Sequence, residues 1–250
     1  MITSVVALVA FISEYLDSGL GMGYGTALAP ILIIMGFEPL KVVPAILISQ
    51  LVTDIAACVF HHRLRNVDLR IGTDDFKAAA VLGGLGSVGV IIAVITAINI
   101  PKNILTIYIG CLVLAMGVLV LVTAKRPMKF SWPKLMGISL LASFNKGISG
   151  GGYGPLVMGG QMLSGIDVKN AVGITAFAEG ITCLVGFMVY LASGKAIDWK
   201  LIGVLVVSAV LAVPVAAFTV KNASSARLKK YVAVLMIVLG LFTLLKISGG

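Results

Sequence analysis

The chain has 250 residues, of which 59% are hydrophobic and 12% are charged, whereas roughly 25% of residues are charged in an average soluble domain. A soluble fold of this size needs a charged surface, so the composition excludes an ordinary water-soluble domain and indicates a protein surrounded by lipid. The net charge of +9 does not indicate a nucleic-acid partner, because the Lys and Arg residues lie mainly in short gaps between apolar runs, as in the cytoplasmic loops of membrane proteins.

Apolar stretches follow one another along the chain and predict an all-α polytopic membrane protein. In chain order they are residues 2–37, 42–60, 76–98, 104–123, 131–165, 170–191, 201–219 and 231–247. Six of them have about the 20 residues that a spanning helix requires. The stretches 2–37 and 131–165 are longer, and a glycine cluster interrupts each of them. We therefore predict a glycine-broken helical hairpin in both places.

The two glycine clusters recur in register. A shift of 129 residues aligns Gly21, Gly23, Tyr24 and Gly25 with Gly150, Gly152, Tyr153 and Gly154. The same shift aligns the polar positions of the following spans. We therefore interpret the chain as a tandem duplication, with a first repeat at 1–124 and a second at 131–250 in one integrated membrane domain. Each repeat consists of one broken hairpin and three transmembrane helices.

The basic residues of the loops predict how the repeats are oriented. If each broken stretch returns to its starting side, thirteen Lys and Arg residues lie on one side of the membrane and five on the other. If each broken stretch crosses once, the division is eleven against seven. The positive-inside rule therefore favours two inverted repeats with both termini outside.

The glycine breaks are the predicted substrate site. Irregular backbone inside a membrane is tolerated only where it is buried in protein or lines a wet cavity, and the start of the outgoing helix offers free N–H groups to an anion. The alternative is that the glycines only allow tight helix packing. The candidate substrate-binding residues are Asn145, Lys146, Gly150, Gly151, Gly152, Tyr153, Gly154, Gly21, Gly23, Tyr24, Gly25 and Thr26.

Lys146 is the only Lys or Arg deep inside an apolar stretch, and an ionisable residue at such a position usually has a function. Two interpretations stay open. Lys146 and Asn145 could hold an anionic substrate together with the backbone of the second break. Lys146 could instead pair with Asp17, which occupies the equivalent position in the first repeat. Both are compatible if the substrate competes for the ion pair.

Further polar residues in the spans predict a pathway lining, and any of Glu14, Asp17, Asp54 and Glu179 could carry a coupling proton, because burial raises the pKa of a carboxyl group. Glu14 and Asp17 are three residues apart and share a helical face. The structural alternative is that these groups form hydrogen bonds that hold one helix against another. The candidates are Gln50, Thr53, Glu179, Thr182, Asp17, Glu14 and Asp54. We expect His61 and His62, at the end of the second span, to anchor it at the cytoplasmic interface.

No metalloprotease, phosphate-loop or Ser/His/Asp signature occurs in the sequence. We therefore expect no enzymatic activity, no cofactor and no metal site. The expected partners are a small anionic substrate and membrane lipid, without nucleic acid. Proton or sodium coupling and homo-oligomerisation stay open.

The chain resembles the TauE/SafE sulfite exporter family, also called the TSUP family of membrane permeases. The matching features are Gly21-Met22-Gly23-Tyr24-Gly25 followed by Pro30, the cluster at 149–155, the loop at 66–68 and the small-residue run at 83–89. The resemblance implies a secondary transporter of the cell membrane that carries sulfite or a sulfur-containing organic anion. Alternating access would then operate at a midplane site between the two hairpin tips. A passive anion channel of the same architecture and a cation carrier that uses the intramembrane carboxylates are the alternatives.

Overall fold

The computed structural model describes residues 2–123, 132–163 and 166–220, together with positions 234, 237–239 and 241–245. The described residues form nine α helices and no strand, which confirms the predicted all-α class. The helices are α1 (Ile2–Leu20), α2 (Tyr24–Ile34), α3 (Pro39–Arg63), α4 (Asp74–Asn99), α5 (Lys102–Thr123), α6 (Trp132–Ser149), α7 (Tyr153–Leu163), α8 (Val168–Ala192) and α9 (Trp199–Val220).

Local sequence explains where several helices begin. The Thr73 hydroxyl accepts the N–H of Phe76 at the start of α4, and the Asp167 carboxylate accepts the N–H of Lys169 at the start of α8. Both side chains satisfy a backbone donor that has no partner within the helix. The unbroken helices begin and end within about three residues of the predicted spans. The predicted span 231–247 lies mostly outside the described residues, and the positions described there are helical.

Both predicted glycine breaks are present. Residues 21–23 separate α1 from α2, and residues 150–152 separate α6 from α7. The φ angles are +67° at Gly21, +136° at Gly23, +75° at Gly150 and +81° at Gly152. Residues with a Cβ atom rarely adopt these angles, so glycine is what allows the chain to leave one helix and enter the next within three residues.

Small residues bring α4 close to its neighbours. A methyl group added at Gly83 would lie 2.7 Å from Ile181 Cδ1 of α8, and one at Gly89 would lie 2.6 Å from the Leu140 carbonyl oxygen of α6. The glycines therefore act here as small interface residues, which let membrane helices approach closely. The run at 83–89 has a packing role.

Helices α3 and α8 run in opposite directions. Gly186, near the end of α8, lies against Leu47 in the first half of α3, and Gly173, near the start of α8, lies against Val67 just beyond the end of α3. The two helices are therefore antiparallel neighbours. Their equivalence as copies of one repeat, and with it the inverted repeat, stays a prediction from the sequence.

The surface and the interior are those of a membrane protein. Six of the described helices are long and apolar enough to cross a membrane, namely α1, α3, α4, α5, α8 and α9. Large apolar side chains such as Leu8, Val207 and Phe218 are exposed at the surface. Charged side chains such as Glu14 and Lys146 are buried, although Lys and Glu are almost never fully buried unless paired. This distribution suits lipid outside and a polar site inside.

Candidate substrate and ion site

The two glycine breaks touch each other through their backbones. A methyl group built on Gly25 would lie 1.7 Å from the Gly150 carbonyl oxygen, and one on Gly154 would lie 2.4 Å from the Gly21 carbonyl oxygen. No residue with a side chain fits at such distances. The N–H of Gly152 also donates a 2.9 Å hydrogen bond to Thr26 Oγ1. The breaks therefore form a single contact inside the protein, although they are far apart in the sequence.

The predicted substrate-binding residues surround this contact, and all of them are buried. Tyr24 and Tyr153 are the first residues of α2 and α7, and neither side chain is accessible. The Tyr24 hydroxyl shares a 2.5 Å hydrogen bond with the Ser49 hydroxyl of α3. Within the second break, the N–H of Gly151 donates to Ser149 Oγ at 3.0 Å. These residues therefore lie close together, and the packing around them shields them from solvent.

The two outgoing helices start in different electrostatic surroundings. At α2, Asp17 Oδ1 accepts the backbone N–H of Tyr24 at 3.2 Å, so an internal carboxylate already occupies the positive end of the helix dipole. At α7, no acidic side chain of the described residues accepts from the first turn. Lys146 occupies the position equivalent to Asp17 in the predicted repeat. Among the described residues, the start of α7 therefore has no internal carboxylate, unlike the start of α2.

Lys146 forms a buried ion pair with Glu179. The distance from Lys146 Nζ to Glu179 Oε1 is 2.7 Å, and the two side chains are 1% and 4% exposed. Lys146 Nζ also donates to Gln50 Oε1, and Gln50 Nε2 donates to Asp17 Oδ2 at 2.9 Å. Within the described residues, Lys146 is therefore linked to Asp17 through Gln50 and not by a direct ion pair. The sequence identified the lysine and its possible link to Asp17, but not Glu179 as its direct partner.

A second side-chain link between helices α1 and α3, besides that of Gln50 with Asp17, joins two more of the predicted pathway residues, Glu14 and Thr53. Glu14 accepts a 2.5 Å hydrogen bond from the Ser18 hydroxyl and a 3.1 Å hydrogen bond from the Thr53 hydroxyl. Thr182 behaves differently, because its hydroxyl donates to the Ala178 carbonyl oxygen of its own helix at 2.6 Å. Thr182 is buried in the packing of α8 and takes no part in the hydrogen bonds around the carboxylates.

Three carboxylates come together next to this network. Asp17, Asp54 and Glu179 each place one oxygen within 4.8 Å of the others. They belong to α1, α3 and α8. The sequence named all three as coupling candidates, but no motif or spacing indicated that they lie together. Only the packing of α3 against α1 and α8 creates the cluster.

Sequence reasoning missed Tyr108 and misplaced His61. The Tyr108 hydroxyl of α5 donates to Asn145 Oδ1, and no motif points to it. His61 is fully buried instead of lying at the interface. Asn66 Nδ2 donates to His61 Nδ1 at 3.1 Å, so Nε2 carries the proton that is donated to the Ser18 carbonyl oxygen at 3.0 Å. The turn after α3 folds back over His61, which local hydropathy does not reveal.

Charged groups at the two ends of α3 lie outside the spanning segments. In the loop before α4, Arg70 Nη2 lies 2.6 Å from Asp68 Oδ2, and hydrogen bonds from Arg70 lower the pKa of Asp68 to about 2. At the start of α3, the hydrogen bond from Lys102 and the charges of Lys102 and Lys41 lower the pKa of Glu38. These ion pairs hold loops together away from the buried site.

Helices of spanning length, an apolar exposed surface and a buried charged site at the meeting point of two broken helices define a multi-pass membrane transporter of the permease or exporter class. The chain belongs to the sulfite exporter TauE/SafE family, whose model matches residues 6–243. It is also similar to the "Probable membrane transporter protein YtnM" of Bacillus subtilis (strain 168). The two are 24% identical over 231 residues, which cover 87% of this chain and 74% of that protein. The chain is a multi-pass protein of the cell membrane.

Proposed function

We propose that the chain is a secondary transporter of a small anion, namely sulfite or a sulfur-containing organic anion, and that it catalyses no reaction. One observation carries the proposal: Lys146, the fully buried lysine among the described residues, lies in the last turn of α6, just ahead of the glycine break that precedes α7. The description of the family as sulfite exporters supports the substrate class.

The anion takes the place of an internal competitor. The Glu179 carboxylate accepts one hydrogen bond from Lys146 Nζ, and the side-chain oxygen of Gln50 accepts a second one. An ammonium group has three donors, so a substrate oxyanion can bind to Lys146 as Glu179 withdraws. The backbone N–H groups at the start of α7 and the amide of Asn145 supply further donors. Binding of substrate and loosening of the ion pair are therefore coupled.

Alternating access requires the two breaks to separate and to meet again. Their contact is made of backbone atoms, with Gly25 against Gly150 and Gly154 against Gly21. Two such smooth surfaces can part without the repacking of interdigitated side chains. The structure suits an occluded state, in which the predicted substrate residues are closed off from both sides. In the proposed cycle each side of the membrane reaches the site in turn.

The binding experiment compares Glu179→Gln, which leaves Lys146 without its carboxylate partner, with the double variant K146M/E179Q, which removes both members of the ion pair. Glu179→Gln keeps Lys146 and removes its competitor, so sulfite should bind at least as tightly as to the wild type. The double variant K146M/E179Q removes the cation as well, and sulfite binding should fall at least tenfold. Asp74→Asn, at a fully exposed carboxylate, is the matched control. Sulfite affinity is measured from the thermal shift of purified protein. Wild-type affinity in the double variant would remove Lys146 from the site.

Flux measurements in proteoliposomes separate the transporter from a passive channel. A coupled transporter accumulates sulfite against its concentration gradient when a sodium or proton gradient is imposed. A channel only equilibrates sulfite. Sulfite entry that never exceeds equilibrium under any imposed ion gradient, and that follows the membrane potential alone, would favour the channel.

A further inference from the structure

When its carboxyl groups are ionised, the cluster of Asp17, Asp54 and Glu179 carries more negative charge than the described residues around it balance. The three residues are 7%, 4% and 3% exposed, and one oxygen of each lies within 4.8 Å of the others. Lys146 pairs with Glu179, which leaves the carboxylates of Asp17 and Asp54 without a cationic partner among the described residues. Buried charges without a counter-charge are strongly unfavourable. A bound cation would balance this charge.

An independent feature shows where this ligand belongs. Asp54 Oδ2 is buried and has no hydrogen-bond partner among the described side chains and backbone groups. It faces Gly180 of α8, which has no side chain to offer. All three carboxylates line a small void. The void leaves about 10 Å³ for the centre of a water-sized particle, which is close to the minimum that one water molecule requires.

We propose that Asp17, Asp54 and Glu179 form a binding site for a single dehydrated sodium ion. Oxygen ligands select hard cations. A cation of this size has oxygen distances of about 2.3 to 2.6 Å, so it can touch one oxygen of each residue at once. The ion fills the void and supplies the missing partner of Asp54 Oδ2.

Other cations fit less well. Mg²⁺ keeps several of its waters in proteins, and the void has room for about one. Ca²⁺ takes 6–8 oxygen ligands, more than three carboxylates supply when each gives one oxygen to the ion. A monovalent ion with few ligands is what remains.

The sodium site shares a residue with the proposed anion site. Glu179 is the direct partner of Lys146 and also one of the three sodium ligands. Sodium therefore draws the Glu179 carboxylate towards Asp54, and this movement frees Lys146 for the anion. The coupling of the two ligands rests on the proposed function, whereas the existence of the sodium site does not.

The test measures the thermal stability of the purified full chain without any sulfur anion. Sodium, potassium and choline chloride are compared at equal ionic strength and fixed pH. Sodium alone should raise the midpoint, by at least about 2 °C at saturation. Asp54→Asn should abolish this sodium response. In choline chloride the variant should be at least as stable as the wild type, because it has lost an unpaired buried charge. Asp74→Asn should respond to sodium like the wild type. Binding of radioactive sodium to the same three proteins gives a second readout.

Equal shifts with the three salts, or a sodium response that survives in Asp54→Asn, would overturn the site. A midpoint that depends on pH but not on sodium would also overturn it and assign the cluster to a proton. Failure of the proposed function looks different: sodium would still shift the midpoint, while sulfite would have no effect with or without sodium.

Discussion

Gly25→Ala tests whether the two glycine breaks touch. The new Cβ atom would lie 1.7 Å from the Gly150 carbonyl oxygen and 2.6 Å from its carbonyl carbon. Both obstacles are backbone atoms, so no change of rotamer relieves the clash, and the two breaks must move apart. Overpacking of this kind costs about 1–3 kcal/mol. For a chain of this length, that corresponds to a fall in the thermal midpoint of roughly 2–12 °C.

Gly84→Ala is the matched control, because Gly84 is a helical glycine on α4 with no atom within 4 Å of the added methyl group. Alanine there should be neutral or stabilising by up to about 1 kcal/mol. The two midpoints are compared by thermal denaturation in the same detergent. If Gly25→Ala were as stable as Gly84→Ala, the breaks would not be packed against each other, and the proposed occluded state would lose its basis.

Three further predictions concern other contacts. Lys146→Met and Glu179→Gln each leave one buried member of the ion pair and should each lower the free energy of unfolding by about 3–5 kcal/mol. The double variant should be about as stable as the wild type. Additive effects in a double-mutant cycle of thermal denaturation would contradict this. Arg70→Gln should return the pKa of Asp68 towards its ordinary value of about 3.9, which a carboxyl NMR titration measures. In the wild type, the stabilisation from the Arg70–Asp68 pair is fully present above about pH 3.9 and is lost as the pH falls through the folded-state pKa of about 2. Thr26→Val removes the acceptor of a buried N–H in the second break and should cost about 1–3 kcal/mol, and unchanged stability would refute that hydrogen bond.

The helices and the breaks could be predicted because their causes are local. About 20 apolar residues make a spanning helix, and a glycine cluster with positive φ angles interrupts one wherever it occurs. Lys146 was also visible, since a lysine in an apolar stretch stands out by composition alone. These features depend on a few adjacent residues, so one sequence is enough to find them.

The partners could not be predicted, because they depend on how helices pack. Glu179 lies 33 residues beyond Lys146, and only the packing of α8 brings its carboxylate to 2.7 Å from the lysine. Asp54 and Glu179 meet for the same reason. His61 shows the reverse error: its place at the end of an apolar span suggested an interface position, whereas the turn that follows buries it. The end of an apolar stretch shows where a helix ends, but not whether a side chain at that end faces the protein interior or the surface.

The sign of the charge before each break would account for the two ligands that we propose at this one contact. In the first predicted repeat this position is Asp17, whose carboxylate accepts the N–H at the start of α2 and lines the void proposed for sodium. In the second it is Lys146, which leaves the start of α7 without an acidic partner in the described part of the chain. A fully symmetric pair of breaks would present two identical sites. In the two proposed sites, the acid before the first break favours a cation and the lysine before the second favours an anion, and Gln50 and Glu179 connect the two positions.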